Sequence, residues 1–324
     1  MPRTLPRWLK LLLPFVGLTF LVYLVYTLHL GDIVDAILSI DVRYIFAALA
    51  LAVPVLILRI FAWQWICRAQ DIHIGSWRLL KIYLIGLFYG VATPGYLGQL
   101  MRVPYMKEDT EAPYGKLFVN VVLETFVHTL SLYVMMVIGA ILIVEMIPQL
   151  VWLTVVWIVG VLVVFVLLVK RERGDRFFQW LVRVLVPGRV RGEVRSFTES
   201  FYLDFPRLRL LVVPLVVGAV TWVLTFSQEY CIVLALGLPI PYVLFLLVYP
   251  VANVAGFLPV SIAGLGTREL TAVALFTTLF AVSGASVFVV SVVGFIVTDV
   301  FFAGIGFVLS LTEARPASSG LVSS

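Results

Sequence analysis

Charge is what this sequence has least of. Of its 324 residues, 13% are Asp, Glu, Lys or Arg, and 62% are hydrophobic. A soluble domain carries about a quarter charged residues, so a soluble fold is excluded. Cysteine and histidine are scarce as well, at two and three residues. Cys67 and Cys231 stand far apart in apolar runs and read as buried free thiols, not as a disulfide framework. There is no HExxH, no P-loop and no His/Cys group at metal-ligand spacing. Gly264-Leu265-Gly266 begins a GxGxxG-like pattern, but Leu270 stands where the later small residue belongs. No catalytic residue, metal or cofactor is therefore expected. The net charge of +5 falls in loops between apolar runs, where the positive-inside bias accounts for it. A nucleic-acid partner is not expected.

What remains is a succession of long apolar runs, the pattern of an all-α polytopic membrane protein. Arg3, Arg7 and Lys10 stand at the start of the first run, residues 9–28. That run extends too far, with no small-residue cleavage site, to be a signal peptide. Further spans are expected at 44–66, 117–147, 150–169, 210–236 and 287–311, about six in all. Asp32, Asp35 and Asp41 read as an external loop. Residues 170–209 hold ten basic side chains against five acids, which places them and both termini in the cytoplasm of a cell-membrane protein. Within this connector Phe177, Trp180, Leu181, Val184 and Leu185 recur at helical spacing, as in a helix lying on the anionic leaflet. Residues 1–312 form one transmembrane domain of two halves, 1–169 and 210–312, and 313–324 read as a disordered tail. No pattern sets an oligomeric state.

Two runs are interrupted. Residues 254–276 contain Pro259, Gly264 and Gly266 before Arg268 and Glu269, and residues 87–102 contain Thr93-Pro94-Gly95 and Gly98 before Arg102. The apolar piece ahead of the first break, 79–92, is too short to span a bilayer. Irregular backbone at membrane depth survives only inside protein or beside a watery cavity. These breaks therefore read as two re-entrant half-helix hairpins, one entering from each side, in an inverted repeat around a central site.

The residue types at the breaks suit a phosphate-bearing lipid headgroup. Gly95, Gly98, Gly264 and Gly266 let backbone approach a ligand. Arg102 and Arg268 offer a bidentate fork for phosphate. Glu124, Glu229, Glu269, Asp299 and His128 could balance those charges or take up a coupling proton or cation. Arg268 and Glu269 are expected to form half of one shared site whose other half is Arg102 and Glu124. Arg59, alone in its span, needs a partner or a cavity.

PGYLGQLMR (94–102) and PVSIAGLGTRE (259–269) resemble the PGxxGE-type and PxxxxGLGxRE-type elements of the flippase-like transmembrane region of lysylphosphatidylglycerol synthases. The resemblance covers roughly residues 10–311. Gln99 stands where that family usually has Glu, Thr125 where an Arg follows the acid, and His128 near a common Asp position. The soluble aminoacyl-transferase domain of the full synthases does not occur in this sequence, so lysyl transfer is not expected of it. The resemblance implies lipid translocation, or service to a lipid-linked glycan pathway, with membrane lipids as partners; the alternative readings are a membrane-embedded enzyme of lipid-linked glycan metabolism or a non-transporting membrane partner protein.

Overall fold

The computed structural model describes residues 15–142, 208–257 and 261–313. Outside those residues lie the N-terminal basic cluster, the expected span at 150–169, the basic connector up to residue 207, Pro259 and the tail beyond Glu313.

All regular structure among the described residues is helical. α1 (Phe15–Thr27) and α2 (Leu30–Leu38) meet at 86°, because His29 takes a left-handed φ of 57°. Asp32 and Asp35 thus lie on a helix and not in the loop expected of them. Ile33 of α2 is buried against Leu24, Phe288 and Val289, and that apolar face holds the segment helical. α3 (Val42–Ala69) starts at Asp41, whose Oδ1 accepts the Arg43 N–H at 3.0 Å. It caps an otherwise orphaned donor. α4 (Ser76–Val91) is the short apolar helix ahead of the first break. A 3-10 turn (Leu97–Met101) and α5 (Arg102–Lys107) follow it, and then α6 (Tyr114–Leu142).

In the second half come α7 (Val212–Ala235) and α8 (Tyr242–Gly256), then the second break, then α9 (Thr267–Phe280) and α10 (Gly284–Phe295). A π turn (Ile296–Val300) joins α10 to α11 (Phe301–Thr312). Among the described residues, four helical stretches are long and apolar enough to cross a membrane: Val42–Ala69, Tyr114–Gly139, Arg209–Ala235 and Gly284–Thr312. The bent α1–α2 pair makes a fifth if taken as one span.

The packing of the halves is reciprocal. α3 and α7 run along one another, α4 packs on α11, and α8 packs on α6. The close approaches repeat too. A Cβ on Gly139 would overlap the Leu247 carbonyl, and one on Gly306 would overlap that of Leu84. Small residues at such crossings let helix backbones touch. One register underlies this. Trp63, Tyr83, Gly90, Gly98 and Arg102 stand at the same mutual spacing as Glu229, Tyr249, Gly256, Gly264 and Arg268.

Candidate functional site: a cavity where two helix breaks meet

Each break is built from local hydrogen bonds. In the first, the Thr93 hydroxyl donates to the Tyr89 carbonyl at 3.0 Å and accepts the Gly98 N–H at 2.6 Å. In the second, the Glu269 carboxylate accepts the Gly266 N–H at 2.5 Å and so caps α9. Gly264 sits at φ 78°, where a Cβ would also stand 2.8 Å from the Gly256 Cα, so only glycine fits. Tyr96 and Ala263 hold positive φ without being glycine, at 57° and 51°. Such strain persists where surrounding structure enforces it, often at ligand sites.

The breaks touch. Pro94 and Ile262 form an isolated antiparallel bridge, and the Tyr96 ring meets Phe257 edge-on at 5.8 Å. Beside this contact opens a cavity of about 770 Å³, lined by both breaks and by α3, α6, α7 and the π turn. Arg59, His128, Glu229, Arg268 and Asp299 supply its charged and titratable wall, set among aromatic residues that include Tyr83, Trp222 and Phe257. π turns recur at functional sites because the extra residue re-aims a side chain; this one carries Thr298 and Asp299 into the wall.

The expected site residues divide into two sets. Gly95, His128, Glu229, Arg268 and Asp299 line the cavity, whereas Gly98, Arg102, Glu124, Gly264, Gly266 and Glu269 do not. Arg102, expected to face a headgroup, is fully buried. Its guanidinium donates to Glu124 Oε2 at 2.7 Å, Gln99 Oε1 at 2.7 Å, Thr125 Oγ1 at 2.9 Å and the Gln99 carbonyl at 3.2 Å. Trp63 covers its face at 5.0 Å. Four of its five N–H donors are thus engaged, and the side chain does not reach the cavity wall. Glu124 is held a second time, by Arg59 at 3.5 Å.

Arg268 likewise keeps its own carboxylate. It donates to Glu269 Oε1 from Nη2 at 2.5 Å and from Nε at 3.1 Å, and from Nε to the Ser291 hydroxyl at 3.1 Å. The shared site therefore exists as a meeting of backbones and as a cavity, but each arginine is neutralised within its own half. Of the four residues expected to form one shared site, Arg268 alone reaches the cavity wall, while Glu269, Arg102 and Glu124 lie behind it.

Gln99 and Thr125, two of the three departures from the family pattern, both bond Arg102. Relative to the pattern in that resemblance, this pair exchanges one acid and one base for neutral acceptors, so between them the charge around Arg102 is unchanged. Asp299 accepts from the Thr298 hydroxyl at 2.8 Å. His128 stacks on Trp222 at 4.6 Å, and its carbonyl accepts the Trp222 indole N–H at 2.9 Å. Arg59 was the cavity residue most readily missed; an arginine alone in an apolar span was the signal for it.

Apolar spans surrounding a charged cavity define a multi-pass helical membrane protein. The chain belongs to the family described as the lysylphosphatidylglycerol synthase TM region, whose model matches residues 8–306. A UPF0104 membrane protein of Methanothermobacter thermautotrophicus is 23% identical over 274 residues, covering 78% of this chain and 81% of the relative. Another, from Pyrococcus horikoshii, is 23% identical over 290 residues, covering 82% and 86%.

Proposed function

We propose that this chain binds a phosphate-bearing lipid and moves it between membrane leaflets. The lipid class is phospholipid, aminoacyl-phospholipid or polyprenyl phosphate. The observation that carries the reading is the cavity itself, with Arg268 and Arg59 on an aromatic and apolar wall. Arginine on such a wall suits a phosphate whose acyl or prenyl tail stays in apolar surroundings. Arg268 and Arg59 take the phosphate role here, and Arg102 is a structural residue that braces the first break.

The transport mechanism we propose is alternating access between related halves of opposite orientation, with both termini cytoplasmic and the breaks forming re-entrant hairpins. Reciprocal packing of α4 on α11 and of α8 on α6 supports it. So do the lengths of α4 and α8, 16 and 15 residues, short of the roughly 20 that a span requires. Family membership supports a lipid-related role.

The test is reconstitution in liposomes with a fluorescent phospholipid whose outer-leaflet fraction is quenched from outside. Wild type speeds loss of the protected fraction, and Arg268→Gln with Glu269→Gln slows it. Removing both members of the ion pair leaves no orphaned buried charge. A wild-type rate equal to that of protein-free liposomes would sink the reading.

A further inference from the structure

We infer that Glu229 is a proton-exchange site on the cavity wall, loading from and releasing to water in the cavity. For what the proton drives, this rests on the transport proposal above; the site itself stands on four observations.

Glu229 is a substitution within the repeat. At the matching position in the first half, Trp63 closes over Arg102 at 5.0 Å. The second half has a carboxyl there. Arg268 does not require it, since Glu269 and Ser291 already engage that guanidinium. A surplus carboxyl at a position where an aromatic serves the fold is not explained by packing.

The carboxyl is also incompletely satisfied. Glu229 is 2% exposed and lines the cavity, and its Oε2 has no hydrogen-bond partner among the described residues. Leaving such an oxygen charged and unpaired in a dry setting is costly. Space has been left for the side chain as well: a Cβ on Gly294 would stand 3.0 Å from the Glu229 Cγ.

The charge sum around the cavity points to one proton. Arg59, Arg102 and Arg268 stand against Glu124, Glu229, Glu269 and Asp299, three cations against four carboxyls. One proton on Glu229 balances them. The groups acting on it are Tyr249 from α8, Arg268 and Glu269 from α9, and Asp299 from the π turn, and Arg59 from α3 and His128 from α6 share the cavity wall. Asp299 differs from it in accepting the Thr298 hydroxyl.

A proton fits better than a metal ion. No group of three His, Cys, Asp or Glu side chains among the described residues could hold a metal, whereas a proton requires one oxygen. The step is an acid–base exchange: the Glu229 carboxyl takes H⁺ from cavity water, and the O–H later returns it, with no electron transfer. Loading makes the cavity neutral, and release leaves a negative wall that favours departure of an anionic phosphate.

Infrared difference spectra of the full-length protein in bilayers, taken between acidic and alkaline buffer, test the site without any transport. A protonated-carboxyl stretch is expected in wild type, absent in Glu229→Gln and displaced in Glu229→Asp. Should Glu229→Gln fail to fold, the displacement in Glu229→Asp decides. A spectrum unchanged by either substitution overturns the proposal.

The coupling is read in vesicles of phosphatidylcholine with fluorescent phosphatidylglycerol. A one-unit pH difference is expected to shift the leaflet ratio by up to about tenfold for one proton per lipid, and Glu229→Gln to move lipid without that shift. If wild type moves lipid and ignores the gradient, the coupling is refuted while transport stands. If wild type moves no lipid but shows the Glu229 band, transport falls and the proton site stands.

Discussion

Cutting the ion pair in the first break should reveal an asymmetry that the geometry dictates. Arg102→Met removes four hydrogen bonds, to Glu124, Thr125 and both oxygens of Gln99. It leaves Glu124 with a second cation, Arg59, 3.5 Å away. Glu124→Met instead leaves two arginines without their shared carboxylate. Removing one partner of a buried pair costs about 3–5 kcal/mol, much of it the penalty of the charge left behind. Arg102→Met is therefore expected near ~3 kcal/mol and Glu124→Met near ~5 kcal/mol, on that scale. The double variant should fall short of the sum by about 2–3 kcal/mol, since neighbours in one network are not additive. Arg59 keeps it from returning to wild-type stability. Equilibrium unfolding by SDS titration in mixed micelles, followed by far-UV circular dichroism, gives all three values. Additive single effects, or an Arg102→Met cost below that of an ordinary surface change, would refute the argument that this arginine is a brace.

Three further outcomes are expected. Gly264→Ala should destabilise the protein by about 1–3 kcal/mol, through left-handed strain and the clash with Gly256, read as a lowered melting temperature in detergent. Thr125→Arg alone adds a third arginine around Glu124 and should reduce folded yield, while Gln99→Glu with Thr125→Arg restores charge balance and should recover it. Size-exclusion profiles that are equal for the single and double variants would contradict this. At the end of α11, hydrogen bonds from Arg78 hold the Glu313 carboxyl below its usual range, with Lys81 adding to the effect. A depressed folded-state value means the stabilisation is present above the unfolded-state pKa and is lost as pH falls through the folded one. The difference in melting temperature between wild type and Glu313→Gln should accordingly shrink on acidification; a difference that grows would reverse the sign.

Much of the architecture was legible because bilayer insertion leaves a one-dimensional record. Residues 44–66 and 287–311 emerge within α3 and the α10–α11 stretch, and 210–236 brackets α7. Their apolar composition dictates a helix whatever packs against it, since backbone groups in lipid must be satisfied within the segment. The breaks were legible for the same reason, as Pro and Gly where a span should continue. The reading of two related halves rested on layout alone, and the shared residue spacing needed registration to be seen. Tyr83, Gly90, Gly98 and Arg102 match their counterparts only when loops of unequal length elsewhere are ignored. The α1–α2 bend was not legible, because His29 carries no turn signature and α2 is held by contacts to α10, distant in the chain.

Composition and apolar run length alone determined that this is a polytopic helical membrane protein with two broken helices bearing arginines. Those properties follow from transfer free energies summed residue by residue along the chain. Which arginine faces the cavity and which is sealed against Trp63, that Arg59 shares Glu124, and that Glu229 is left with a bare oxygen were decided by tertiary packing alone. Each depends on where side chains tens of positions apart come to rest, and in a low-dielectric interior a few ångströms separate a paired charge from an available one.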